Sequence, residues 1–453
     1  MKQAVSFNRL ARYERNVPRY TSYPTAVQFT ESVGFDTYKK WLQTLQDNEA
    51  VSLYLHVPFC DELCKFCACN TQVIHKEALR IAYGELLCDE LYRLKALLKS
   101  RRRVGFIHFG GGTPTTLPPI TITKIMNTIR QYFNIEKNAD ISIELDPRHA
   151  SSQYILLLNQ LGFTRISIGV QDLDPKVQEA CGRVQSLAMT SNCIEIARKQ
   201  NITSINIDLI YGLPNQTCKS LSETIQSIIR LKPDRLAVFG YAHVPWKHKR
   251  QNLLNGEILP DTLERFKQRQ LIDDLLRIAN YQIIGLDHYA LPHDSMSKAA
   301  KEGKLHRNFQ GYTIDNAVAL LGIGASSVSI LPKGIVQNQL SAAAYQKAMR
   351  LEGLPIAKGV SRTIEDLLRW SVIEHLMCDL YVDLEILAKK FKRPKNIFDN
   401  DLLNLVSFEE DGLILRDYYK IKVTEQGRPF LRNIANIFDV YYQSSPHRHA
   451  QAI

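Results

Sequence analysis

No apolar run in this 453-residue chain approaches the roughly 20 residues that a helix needs to cross a bilayer, which excludes a membrane span. The first 20 residues are basic (Lys2, Arg9, Arg12, Arg15, Arg19), but no apolar stretch follows them as a secretory signal requires, so a cytoplasmic protein is expected. Fixed-period repeats and low-complexity segments are missing too, which sets aside solenoids, propellers and disordered tails. The nine cysteines are odd in number and stand in a large chain without a secretion signal, so they do not read as a disulfide framework. No RNA-binding signature is visible.

What remains is an ordinary globular composition, 45% hydrophobic and 23% charged, with a formal net charge of +11 and a pI of about 9.1. That balance suits an acidic partner, either nucleic acid or a polyanionic small molecule. The basic runs Lys99-Ser-Arg-Arg-Arg103 and Lys247-His-Lys-Arg250 read as solvated surface, and no aromatics interleave with the first.

Short apolar runs alternate with longer helical patterns. Strands are expected at Val51–Val57, Gly105–Phe109, Ile141–Leu145, Arg165–Gly169, Ser204–Ile210 and Arg235–Phe239, with helices such as 78–98 and 120–133 between them. Such alternation implies an α/β fold with a parallel sheet, right-handed crossovers and a barrel or part of one. Chemistry in these folds gathers at the C-terminal strand ends. The unusual residues keep to those ends: the cysteines after the first strand, Gly110-Gly111-Gly112 after the second, Glu144, Gln171, Asp208 within the fifth and Ala242 after the sixth. Beyond about residue 354 the pattern changes to a helix over 364–387 and then a small hairpin, like a winged-helix module. With no cationic recognition helix in view, packing or a lid is expected of it, and a metal-sensing DNA-binding regulator would leave the barrel motifs unexplained.

Cys60-Asp-Glu-Leu-Cys64-Lys-Phe-Cys67 has C-x3-C-x2-C spacing. Three thiolates can hold three irons of a cubane and leave the fourth open. Zinc needs a fourth ligand in a structural site, and Cys69 or His56 could supply one. The glycine triplet lets backbone amides approach a carboxylate, and Glu144 at a strand end can accept both hydroxyls of a ribose.

The cysteine spacing, with Phe66 before the last of them, resembles the radical S-adenosylmethionine superfamily. The similarity extends further. Pro18-Arg-Tyr-Thr-Ser-Tyr-Pro-Thr25, Tyr54–Cys60, Cys67-Ala-Cys69-Asn70, Gly169-Val-Gln-Asp172, Asn206–Pro214, Asp287-His288 and His306–Tyr312 resemble the oxygen-independent coproporphyrinogen III oxidases. The resemblance implies a three-quarter (β/α)6 barrel with an N-terminal arm (1–35), a catalytic barrel (36–355) and a mostly helical, winged-helix-like C-terminal domain (356–453). It implies a 4Fe–4S cluster on Cys60, Cys64 and Cys67, with S-adenosylmethionine near Tyr54, Gly111, Glu144 and Val328. A second cofactor molecule is implied near Phe66, Gly112, Thr113, Gln171, Arg183, Asp208 and Ala242, and Cys69 is implied as catalytic. The implied substrate, coproporphyrinogen III, carries four carboxylates and so matches the basic charge. A flavodoxin- or ferredoxin-type electron donor or another reductase, a monomer, and no nucleic-acid partner are expected. The runner-up is a related haem chaperone, whose members tend to lack both Cys69 and the arm. One departure stands out: Gly182 precedes Arg183 where the family commonly has Asn.

Overall fold

In Ser204-Ile-Asn-Ile-Asp-Leu-Ile-Tyr211 apolar side chains alternate with others. In the computed structural model, which describes residues 11–254 and 258–442, this stretch is a strand. Ile205, Ile207 and Leu209 are wholly buried in the main apolar core, while Asn206 and Asp208 stand partly exposed on the opposite face. Burying each such apolar side chain contributes about 1.5–3 kcal/mol. A one-residue slip would turn them all to the polar face, so the register is strongly specified. The same logic gives the sheet an apolar outer face under the helices and a polar lumen.

The units in chain order are β1 (Val51–Val57), α1 (Glu77–Leu97), β2 (Arg103–Gly111), α2 (Pro119–Tyr132), β3 (Asn134–Leu145), α3 (Ser152–Gln160), β4 (Arg165–Gln171), α4 (Leu187–Lys199), β5 (Ser204–Tyr211), α5 (Cys218–Arg230) and β6 (Arg235–Gly240). Each strand from β1 to β6 pairs in parallel with the next, which is the expected run of six β/α units. Then follow α6 (Thr262–Ile278), β7 (Gln282–Ile284), β8 (His288–Ala290), β9 (Ala319–Ile323), β10 (Val328–Leu331), β11 (Gly334–Asn338) and β12 (Ile356–Ser361). β9 runs parallel to β1, and antiparallel strands extend both edges, giving the order β12-β11-β10-β9-β1-β2-β3-β4-β5-β6-β8-β7.

Two elements differ from expectation. β3 begins at Asn134, seven residues before the expected Ile141, and its first residues pair with Arg103 and Val104. Most of that leading half is exposed, so no apolar period marks it in the sequence. The helix expected over 364–387 is two: α7 (Ile364–Asp379) and α8 (Leu384–Lys390), separated by β13 (Tyr381–Asp383). Leu380 closes α7 in the left-handed region (φ 56°), and the Asp383 carboxylate accepts the Ile386 amide to start α8. With β14 (Ile414–Asp417) and β15 (Lys420–Val423), β13 completes a small three-stranded sheet.

A second apolar core joins this module to the rest. Tyr13, Tyr20 and Tyr23 of the arm pack in it with Leu368, Leu376 and Phe430, and Phe266 and Tyr312 contribute from the barrel side. The basic run at 99–103 is not simply solvated. Arg102 is wholly buried, donating to the carbonyls of Leu45 (3.0 Å) and Gln46, and Arg101 donates to the Phe133 carbonyl at 3.0 Å. Loop carbonyls that lack ladder partners need donors, and long arginines supply them. Lys2 and Arg9 lie outside the described residues. Among the described residues no helix is long and apolar enough to cross a membrane.

Candidate active site

β1 stops at Pro58. Beyond it, Phe59-Cys60 pairs in parallel with Gln72-Val73, pinching off a loop that carries Cys60, Cys64, Cys67 and Cys69. The end of β2 folds tightly under this loop: the Gly112 amide donates to the Val57 carbonyl (2.9 Å) and the Thr113 amide to that of Phe59 (2.7 Å). A Cβ on Gly112 would lie 2.5 Å from the Phe59 carbonyl oxygen and 3.0 Å from Cys60 Sγ, so only glycine permits this approach. Gly111 adopts φ +123° against the His56 ring, where a side chain would clash as well.

Each of the first three thiols accepts a hydrogen bond. Thr113 Oγ1 reaches Cys60 Sγ at 3.8 Å, Arg183 Nη1 reaches Cys64 Sγ at 3.4 Å, and the Cys69 amide reaches Cys67 Sγ at 3.4 Å. Such donors favour thiolates, but the balance differs: burial outweighs the Thr113 contact and pushes Cys60 up to about 11, whereas hydrogen bonds from Cys69 bring Cys67 down to about 6. Cys69 is exposed, and its thiol donates to the Cys67 sulfur, a contact that raises its own pKa. All nine cysteines are free thiols.

Across from the loop, Glu144 at the end of β3 accepts His108 Nε2–H (3.2 Å) and the Gly111 amide (3.1 Å). Burial alone would raise its pKa, but these donors and the neighbouring histidines hold the carboxyl below its ordinary value. His108 is fixed in turn by Ser142 Oγ at 2.7 Å. Tyr54 donates to His56 Nδ1 at 3.0 Å, and His56 Nε2–H donates to the Asn70 carbonyl at 3.2 Å. Burial keeps that imidazole neutral, as this tautomer requires. Both His56 nitrogens are thus engaged away from the cysteines, which removes His56 as a fourth zinc ligand. Val328 opens β10 against Gly322, which is the register partner of Tyr54, so Val328 and Tyr54 are brought together.

The remaining candidates ring the lumen farther round. Arg183 donates to the Gly169 carbonyl and pairs with Asp146 at 2.9 Å, while Asp146 is also chelated by Arg148. Gly182 caps a short helix in the left-handed conformation (φ 65°, ψ 38°), a geometry that Asn also tolerates, which accounts for the departure from the family pattern. Gln171 ends β4 with φ +73°, an uncommon state for a side-chain-bearing residue. Asp208 accepts Ser167 Oγ–H (2.9 Å) and Asn206 Nδ2–H (2.8 Å), and burial followed by the Glu144 charge pushes its pKa up to about 6. Phe66 is buried beside Val177, Leu213 and Tyr241. Gln251 Nε2 donates to the carbonyls of both Phe66 (2.8 Å) and Ala242 (3.2 Å), tying the cysteine loop to the segment after β6.

A profile of the radical SAM superfamily matches residues 54–228. The chain is 40% identical over 441 residues to the oxygen-independent coproporphyrinogen III oxidase of Bradyrhizobium diazoefficiens, covering 97% of this chain and 98% of the relative. It is 39% identical over 440 residues to the enzyme of that name from Pseudomonas aeruginosa, covering 96% and 95%. The structure of Escherichia coli coproporphyrinogen III oxidase (HemN), described as a radical SAM enzyme, superposes with a TM-score of 0.90 at 37% identity, over 94% of this chain and 98% of that one. This chain belongs to the oxygen-independent coproporphyrinogen III oxidases.

Membership of this family brings a 4Fe–4S cluster and S-adenosylmethionine as cofactors, and the residues present fit them. Among the described residues no three His, Cys, Asp or Glu side chains converge on a single-ion position, as structural zinc would demand. A cubane puts each cysteine on a different iron, so its ligands surround a volume rather than a point. The three hydrogen-bonded thiols and the glycine floor supply that setting. Sequence reasoning missed His108 and Gln251. His108 sits on the lumen face of β2 at a register position beside Tyr54, which periodicity could have suggested. Gln251 lies in a short 3₁₀ helix (Lys249–Leu253) inside a basic, polar stretch and had no signal.

Proposed function

We propose that this protein converts two propionate side chains of coproporphyrinogen III to vinyl groups without oxygen, giving protoporphyrinogen IX in haem biosynthesis. The reading is supported above all by the donor-supported thiols of Cys60, Cys64 and Cys67 at the mouth of a polar lumen that Glu144 faces. When bound there, the cluster and S-adenosylmethionine would supply one-electron chemistry that takes a hydrogen atom from the propionate carbon next to the ring, after which carbon dioxide would leave and an electron acceptor would take the remaining electron.

The chain's own residues bind, orient and shield. Cys60, Cys64 and Cys67 hold the cluster. Glu144, kept ionised by His108 and Gly111, accepts ribose hydroxyls, while Tyr54 and Val328 wall the same site. Gly111 exposes backbone to the cofactor. Gly112, Thr113, Phe66, Gln171, Arg183, Asp208 and Ala242 form the setting for a second cofactor molecule. Cys69, exposed to the cleft, moves a proton or hydrogen atom at its Sγ. The module beyond residue 356 covers the cleft and keeps water out. The protein acts in the cytoplasm as a monomer and takes electrons from a flavodoxin- or ferredoxin-type donor or another reductase.

The test is anaerobic assay of the reconstituted protein with coproporphyrinogen III, S-adenosylmethionine and a reductant. Stoichiometric protoporphyrinogen IX and carbon dioxide are expected. Porphyrin binding without turnover would overturn the oxidase reading in favour of a haem chaperone.

A further inference from the structure

A small cavity of about 50 Å³ opens beyond β5 and β6, and its wall carries Arg19, Arg265, Arg269, Arg307 and Arg432. Among the described residues, Asp287 is the one acidic residue lining it. That carboxylate is already engaged, accepting His288 Nδ1–H at 2.7 Å and lying 3.9 Å from Arg307 Nη1. Five guanidinium groups therefore face one carboxylate. Burial, then the charges of Arg19 and Arg307, bring Arg432 down to about 9, whereas against the pull of burial Tyr289 and Asp273 hold Arg269 above its ordinary value, and Tyr312 and Asp287 do the same for Arg307.

The arginines differ in what they do. Arg432 donates to the carbonyls of Pro18 and Val17, and Arg307 to those of Tyr20 (3.2 Å) and Arg19 (3.3 Å), so both pin the arm. Arg269, on α6, has Asp273 at 3.3 Å as its hydrogen-bond partner, one helical turn away. Arg269 and Arg307 are each only 5% exposed, yet Arg269 Nη2 and Arg307 Nη1 have no hydrogen-bond acceptor, Arg307 resting over the Tyr312 ring at 4.5 Å. Buried donors are nearly always satisfied, and charged ones cost most when they are not. An orphaned guanidinium nitrogen from each of two arginines on the wall of one cavity points to an anion with planar, paired oxygens, which is what a carboxylate offers an arginine fork. Tyr211, Phe239 and Leu286 give the same cavity apolar walls that suit a ring-borne side chain rather than a free ion.

We propose that this cavity anchors a carboxylate of the substrate, a propionate other than the one reacting, through Arg269 and Arg307. The proposal rests on the oxidase reading above. β6 lies five strands along the sheet from β1, the strand that ends at the cluster loop, so the anchor and the reacting group sit at separate stations on one large substrate. The arm and the C-terminal module each contribute an arginine, so the pocket is complete only when both are docked.

S-adenosylmethionine also bears a carboxylate, and Ala242 borders this cavity, so the test separates the two sources. Full-length, cluster-reconstituted protein would be titrated with coproporphyrin III, the unreactive oxidised form, with its tetramethyl ester, and with S-adenosylmethionine. Wild type is expected to bind the acid and to lose affinity for the ester. Arg269→Met is expected to bind the acid about tenfold or more weakly, with unchanged affinity for S-adenosylmethionine. Removing Arg269 also deprives Asp273 of its ion-pair partner, so the thermal midpoint is expected to fall somewhat, and binding is compared at a temperature where circular dichroism shows the variant folded. Arg269→Lys should recover part of the affinity. Equal binding of coproporphyrin III by Arg269→Met, or a loss confined to S-adenosylmethionine, overturns the anchor while turnover by wild type leaves the oxidase reading standing. Wild type that neither binds coproporphyrin III nor turns over its reduced form overturns the oxidase reading itself.

Discussion

The two ends of the sheet mouth solve opposite electrostatic problems. At β1 and its neighbours, Cys60, Cys64, Cys67 and Glu144 make an electron-rich pocket in which each of these acceptors meets a donor: Thr113, Arg183, the Cys69 amide, and His108 with the Gly111 amide. At β6, guanidinium groups crowd together, and Arg269 Nη2 and Arg307 Nη1 have no hydrogen-bond acceptor, although Asp287 lies 3.9 Å from the latter. The first end is preorganised and needs only its cofactors. The second is poised, and an anion would complete it. A pocket built to wait for substrate carries strain of this kind.

The sharpest way to break the comparison is at the cluster. On the proposed three-thiolate assignment, Cys64→Ser removes one of three ligands and leaves Arg183 facing a hydroxyl. Anaerobic reconstitution should fall from about four irons per chain, the content of one cubane, to near none. Retained iron, or stoichiometric zinc in wild type, would show that the loop is not a three-thiolate site. Cys69→Ser should behave differently, keeping the iron content and cofactor binding while product formation is lost. Its thiol faces the cleft and is not needed to complete the three-ligand set. Iron loss would make Cys69 a ligand and close the open-iron scheme, and full activity would make it structural.

A smaller effect is expected at Glu144. Glu144→Gln keeps the shape but gives up charge-assisted acceptance, so S-adenosylmethionine should bind about tenfold more weakly with the cluster spectrum intact. The pH dependence has a definite sign. Because the folded carboxyl is held below its ordinary 4.5, its contribution is complete above that pH and is lost as pH falls through the lower folded value. Wild-type affinity measured by equilibrium binding should therefore stay flat down to about pH 4.5, where a free carboxyl would already be half protonated. Affinity that declines well above that pH would contradict the His108–Glu144 arrangement.

The same contrast governs what the sequence discloses. The cluster loop is local: Cys60, Cys64, Cys67 and Cys69 lie within ten residues, directly after an alternating strand, so spacing alone carries the chemistry. The arginine cavity is assembled from positions 19, 265, 269, 307 and 432, which share no spacing, and each arginine taken alone reads as surface charge. The net charge of +11 announced an anionic partner without saying where it binds. The core strands were legible because burial on one face imposes period two, as in β5. The first half of β3 was not, because its exposure removes the period. The break at Leu380 was hidden as well, since a leucine in a left-handed cap leaves the apolar stripe unbroken.

The smallest expected effect tests the tolerance of the cluster end. Gly182 has φ 65° and ψ 38° and stands immediately before Arg183, which reaches Cys64 Sγ, Asp146 and the Gly169 carbonyl at once. Asn is the side-chain-bearing residue that most readily takes this conformation. A Cβ built at 182 meets the Lys65 chain at 3.5–3.9 Å, ordinary van der Waals contact with a flexible side chain. Gly182→Asn also narrows the unfolded ensemble, which offsets part of the left-handed cost. Stability should change by no more than about 0.5 kcal/mol in denaturant unfolding, with iron content and turnover retained. Gly182→Val should cost about 1–2 kcal/mol, because a β-branched residue resists positive φ. If Asn behaves like Val, the glycine is required by something other than its backbone angle. If Val is harmless, the cap does not position Arg183, and the donor to Cys64 must be held in place from its Asp146 side alone.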